Sequence, residues 1–165
     1  MLNLLNVISS GSAIFLAFLV VTVRRDANTA ANRWLGVFLL QVGLFILDDS
    51  LVVYGIYKSY PKLIGLFNLS LFALAPSLFL TVSQFVSVGR RFRRRDIWHF
   101  VPFLLFFLLN LPLLLSPDAV KLEVLASAYK PMDWADKILL FTVVVQMSAY
   151  LFFSLRKLKK HRRNL

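Results

Sequence analysis

Polar and apolar residues fall along this chain in long blocks rather than at the short periods of a water-exposed helix or strand. Stretches 1–23, 34–57, 63–88, 97–117 and 138–155 contain no lysine or arginine, and their only acidic residues are Asp48 and Asp49. Each is at least 18 residues long. At a rise of about 1.5 Å per residue, roughly 20 residues cross a hydrocarbon core of about 30 Å, so the blocks predict five transmembrane helices, the fifth being the shortest. No basic residue precedes the first block, whereas Arg24 and Arg25 follow it. That order reads as a retained span rather than a signal peptide. The expected fold is an all-α, polytopic bundle over residues 1–155, with 156–165 as a basic tail or the start of a linker.

Composition agrees with this solvent. The chain has 165 residues, 59% of them hydrophobic and 16% charged, with a mean hydropathy of +0.73. A soluble domain would have to hide all of that surface in one core, whereas a bilayer accepts it directly. Cysteine is absent, which excludes disulfides, thiolate metal sites and cysteine nucleophiles.

The net charge of +11 is a nucleic-acid signal in a soluble protein, so the placement of the charges decides its meaning. Fourteen of the nineteen basic residues follow the first, third and fifth blocks: Arg24, Arg25 and Arg33; Arg90, Arg91, Arg93, Arg94 and Arg95; and Arg156, Lys157, Lys159, Lys160, Arg162 and Arg163. Lys58, Lys62, Lys121, Lys130 and Lys137 lie on the other side. Short loops rich in Lys and Arg stay cytoplasmic, so the N-terminus is expected outside and the C-terminus inside. Arg90 to Arg95 then act as cytoplasmic membrane anchors beside anionic headgroups. Only Phe92 interrupts that run, whereas a single-strand groove needs interleaved aromatic rings, and no nucleic acid is expected on these residues. The lipid bilayer is the expected partner, with a second copy of the chain and a small ligand left open.

Aromatic residues frame the spans, with Trp34 and Trp98 at the inner edge and Tyr54, Tyr57, Tyr60 and Trp134 at the outer one. Between the fourth and fifth blocks, Ser116 as a cap, Pro117 in the first turn and Pro131 as a stop predict a short surface helix with Val120, Val124 and Ala128 on one side.

Asp48 and Asp49 sit least comfortably in their block. A central Asp costs about 2.5 to 3.5 kcal/mol on insertion scales, so the pair is expected to face the bundle interior or a wet vestibule. Gln41 lies two turns earlier on the same face as Asp48. Asn68, Asn110 and Gln146 offer amide donors from other helices, the first two near the depth of Asp48. Pro76 removes one backbone hydrogen bond within the third block, leaving a carbonyl for Ser77 or a neighbouring helix to satisfy. Pro102 falls in the first turns of the fourth block and Pro112 near its end.

His99 stands at the inner boundary beside Asp96, and His161 is far from it in the tail. A metal site needs three or four ligands, which these residues do not supply. Phosphate-binding glycine loops, nucleophile elbows and metalloprotease helices are absent. No enzyme activity, cofactor or metal is therefore expected.

"ANRWLGVFLLQVGLFILDDSLVVYGIYKSYPKLIGL", "APSLFLTVSQFV" and "RRRDIWHFVPFLLFFLL" resemble the N-terminal membrane region of bacterial AraC/XylS-type transcription regulators. The resemblance covers roughly Ala31 to Leu115 and is strongest over Arg94, Arg95, Asp96, His99, Phe100, Pro102 and Phe103. It implies an inner-membrane module that senses a stimulus and passes it to a cytoplasmic pair of helix-turn-helix motifs. The family usually has more membrane helices, so the chain is expected to be the N-terminal part of a longer sensor or a truncated relative, without DNA binding of its own. The alternative expectation is an oligomeric transporter or channel component, or an accessory subunit, because intramembrane acids often mark ion routes.

Overall fold

Residues 2–23, 28–87, 92–127 and 133–163 are described by the computed structural model. The described residues form helices and no strand: α1 (Leu2–Thr22), α2 (Thr29–Val53), α3 (Ile56–Ser59), α4 (Leu71–Val86), α5 (Val101–Leu115), α6 (Asp118–Ser127) and α7 (Trp134–Arg163). Short 3-10 turns at Pro61–Leu63, Asn68–Ser70 and Arg94–Phe100 join them. Five segments are long and apolar enough to cross a membrane: Asn3–Thr22, Thr29–Val53, Pro61–Val86, Arg94–Leu115 and Trp134–Arg163. Arg24, Arg25, Arg90, Arg91, Ala128, Lys130 and Pro131, each given a role above, lie outside the described residues.

Side-chain contacts fix the direction of each span. Asn6 reaches Asp49 and Ser10 reaches Gly43, so α1 and α2 are antiparallel. Asn28 at the start of α2 donates to the Gln84 carbonyl near the end of α4, while Asp48 near the end of α2 meets Asn68 just before α4. Those helices are antiparallel too. Phe72 packs on Phe106 and Phe79 on His99, which sets α5 antiparallel to α4. Gln146 contacts Phe72 and Lys157 contacts Ser83, so α4 and α7 run side by side in the same sense. One end of the bundle thus carries Asp48, and the other carries Lys157 and the tail.

Two seams hold the bundle. Between α1 and α2, Ser10 and Ala17 face Gly43 and Gly36, both pairs seven residues apart. A Cβ at Gly43 would stand 2.7 Å from the Ile14 side chain and 3.1 Å from the Ser10 carbonyl, and one at Gly36 would overlap Val21. Lipid tails are as apolar as leucine, so such close backbone approach supplies the packing that oil alone does not. The second seam is built around α4, where Ala73, Ala75, Ser77, Thr81 and Ser83 are all buried. α5, by contrast, buries no residue.

Several boundaries differ from the expectation, among them the end of α2 at Val53, short of Tyr57. α2 starts at Thr29, ahead of Trp34, so Arg33 lies within the helix with an exposed side chain that can snorkel to the surface. The third span enters through turns, and its regular helix begins only at Leu71. α7 continues to Arg163 because no glycine or proline interrupts it after Trp134, so the basic tail is helical through that residue. Its 30 residues span about 45 Å. The surface helix forms as α6, but the Ser116 hydroxyl donates backwards to the Leu113 carbonyl, 2.7 Å away, and so closes α5 rather than capping α6. Val120 and Val124 face outward, whereas Lys121 is buried.

Candidate functional site

The Asp48 end is organised by a turn. α2 ends where Gly55 takes φ +68°, a left-handed value that glycine adopts without a Cβ penalty. The chain then folds back through α3 and lays Tyr57 beneath Asp48. Tyr57 is 2% exposed, whereas Tyr54 and Tyr60 are exposed, so it packs inside the protein instead of joining the outer belt expected for all three. Its hydroxyl donates to Asp48 Oδ1, and Asn68 Nδ2 donates to Oδ2 at 2.7 Å. Both donors are neutral. Tyr57 lies outside the spans, and burial, followed by its hydrogen bond to the Asp48 carboxylate and that group's charge, pushes its phenol well above the ordinary range. It therefore keeps the proton that it donates.

Asp49 serves the other seam. One position further round the helix, it is exposed and accepts a 2.9 Å hydrogen bond from Asn6 Nδ2. The adjacent aspartates thus tie α2 to α1 on one side and to α3 and the entry of α4 on the other. A buried carboxylate held by neutral donors can take up a proton or a small cation as its charge partner.

A second polar contact sits deeper. Pro76 has no N–H for the carbonyl four residues earlier, which is that of Phe72. Gln146 Nε2 on α7 donates to that carbonyl at 2.9 Å. Ser77 meanwhile donates to the Ala73 carbonyl at 2.8 Å. A neighbouring helix therefore satisfies the group that the proline frees, and this latch joins α4 to α7.

The structure thus brings Asp48 and Asn68 together, and Pro76 and Gln146 together. Asn110 instead donates to the Phe106 carbonyl at 2.8 Å within its own helix. Gln41 Oε1 is buried with no hydrogen-bond partner among the described residues, and so extends the polar face of α2 without joining the cluster. Arg93, Arg94 and Arg95 are exposed, and the Arg93 backbone N–H donates to Asp96 at 2.9 Å. Trp34 stacks between Phe92 and Phe100, each ring centre 5.7 Å away.

Asn6 and Tyr57 join the site although the sequence pattern assigns neither of them to it. Asn6 had a usable signal, since a short link between two antiparallel spans sets it opposite Asp49. Tyr57 follows Asp48 by nine residues across a helix-ending Gly55, which is a return distance, but the interfacial preference of tyrosine points elsewhere. Comparison with known protein families, with curated proteins and with solved structures finds no match to this chain.

Proposed function

We propose that this chain is a membrane-embedded sensory or signal-transducing module with no catalytic activity of its own, of the kind that precedes the DNA-binding part of membrane-bound AraC/XylS-type regulators. In that role it sits in a bacterial inner membrane, with the start of α1 outside and the end of α7 in the cytoplasm. The asymmetry of its basic residues supports this orientation.

The observation that carries the reading is a pair of interhelical hydrogen bonds joined mechanically by α4. Asp48 holds Asn68 at the entry of α4, α4 holds Gln146 of α7 through the carbonyl freed by Pro76, and α7 runs unbroken into the basic tail. A stimulus that changes the partners of Asp48 acts on that linkage, provided it binds two packings of the helices unequally. A recess of about 570 Å³, lined by Val52, Gly55, Lys58, Leu122, Leu125 and Ala126, borders α3 and offers a small, largely apolar ligand a place beside the cluster.

Because the chain has no cysteine, labels at Arg33→Cys and Leu158→Cys report the tail end alone. Pulsed dipolar spectroscopy in nanodiscs measures their separation. Asp48→Asn and Tyr57→Phe are each expected to shift the distribution by about 2 Å or more, the scale of helix shifts in switching proteins. Distributions unchanged in both variants, or proton flux through liposomes carrying the wild-type chain, would overturn the reading.

A further inference from the structure

At the end opposite Asp48, α4, α7 and the turn before α5 border a shallow, open groove of about 390 Å³ lined by Phe79, His99, Phe153, Arg156, Lys157 and Lys160. Residues 153, 156, 157 and 160 follow the spacing of a single helix face. Lys157 is fixed in place, its Nζ donating to Ser83 Oγ at 2.7 Å and standing 4.5 Å from the centre of the Phe79 ring. His99 is set by a 2.9 Å contact between Nδ1 and the Tyr150 hydroxyl and by the edge of Phe79. Arg156 and Lys160 are exposed. Asp96 is the sole carboxylate among the described residues at this end, and it is buried against the Arg93 backbone.

The groove therefore has an aromatic wall within the span and three cations toward the end of the bundle. We infer that it binds one anionic diacyl phospholipid, with the phosphate on Arg156, Lys157 and Lys160 and an acyl chain against Phe79 and Phe153. Charge complementarity selects the headgroup, since basic recesses between membrane helices favour anionic lipids. The wall selects the tail: free phosphate would leave the exposed Phe153 ring uncovered, and a soluble polyanion cannot follow an aromatic surface into the hydrocarbon. This inference does not depend on the signalling role.

Native mass spectrometry of the whole chain released from detergent tests it, with phosphatidylglycerol, phosphatidylcholine and inorganic phosphate as probes. Phosphatidylglycerol is expected to be retained about tenfold better than phosphatidylcholine, and Arg156→Gln with Lys160→Gln to remove that advantage. Lys159→Gln with Arg163→Gln removes the same charge from the same helix end but outside the groove, and is expected to change retention less than about twofold. Equal losses in the two double variants would reduce the effect to diffuse attraction and overturn the site. Phe153→Gln leaves the charge intact and is expected to weaken lipid retention; retention unchanged by Phe153→Gln, or lipid displaced by millimolar phosphate, would overturn the lipid as occupant.

Discussion

α4 and α5 belong to segments of equal hydropathy, yet they occupy opposite situations in the bundle. Most of α4 is buried among α2, α5 and α7, whereas α5 leaves none of its residues buried. Side-chain size separates them. α4 carries Ala73, Ala75, Ser77, Thr81 and Ser83, and α5 carries a nearly unbroken run of leucine and phenylalanine. In water the helix with the unbroken leucine and phenylalanine run would be driven inward. In lipid that force is missing, so small and hydroxylated residues, which permit close approach and hydrogen bonds, mark the interior instead.

The sharpest way to break this contrast is to put bulk where the helices touch. Gly43→Leu sets a branched side chain against the Ser10 carbonyl and Ile14, and is expected to destabilise the α1–α2 seam by about 3 kcal/mol, the upper end of overpacking costs. Unfolding by detergent titration measures it. A loss below about 1 kcal/mol would mean that the glycines mark flexibility rather than close approach.

Removing volume from α4 comes next. Leu80 is 0% exposed, and Leu80→Ala leaves a cavity among atoms that lose their dispersion partners. About 2 kcal/mol is expected, at the low end for buried leucine because lipid supplies no hydrophobic penalty.

Gln146→Leu tests whether the polar contact at the heart of α4 depends on its proline. Leaving the Phe72 carbonyl without a donor is expected to cost about 1.5 kcal/mol. In a Pro76→Ala background the backbone N–H of residue 76 can satisfy that carbonyl, so the same substitution is expected to cost less than about 0.5 kcal/mol. A cycle with no coupling would dissociate the glutamine from the proline.

What the chain discloses before folding follows the same physics. The number of spans is legible because bilayer thickness sets a length, and Asp48 with Asn68 is legible because depth can be counted along a helix. Rotation about the helix axis is not written in block lengths. Gln146 and Pro76 both stand out as isolated features, but their pairing needs the azimuth of α7 against α4, which packing decides. Tyr57 fails for another reason: a local preference for the interface gives way to a buried carboxylate that needs a donor. The burial of α4 is written in its small and hydroxylated residues, to which mean hydropathy is blind.

The smallest effect is the most demanding test of the contrast with α5. Leu109 is 79% exposed and lies beside the exposed Leu104, Leu105 and Leu108, a contiguous apolar face that a soluble monomer rarely leaves open. If α5 turns that face to lipid, Leu109→Ala exchanges one hydrocarbon contact for another and is expected to change the stability of the inserted fold by less than about 0.5 kcal/mol. Its only cost then falls on insertion, where a leucine contributes about 0.3 to 0.6 kcal/mol at the centre of a span. Detergent titration reads the first quantity and a glycosylation-based insertion assay reads the second. A loss comparable to that of Leu80→Ala in the titration would place a second protein surface over α5, and the exposed face would then be an interface rather than a boundary with lipid.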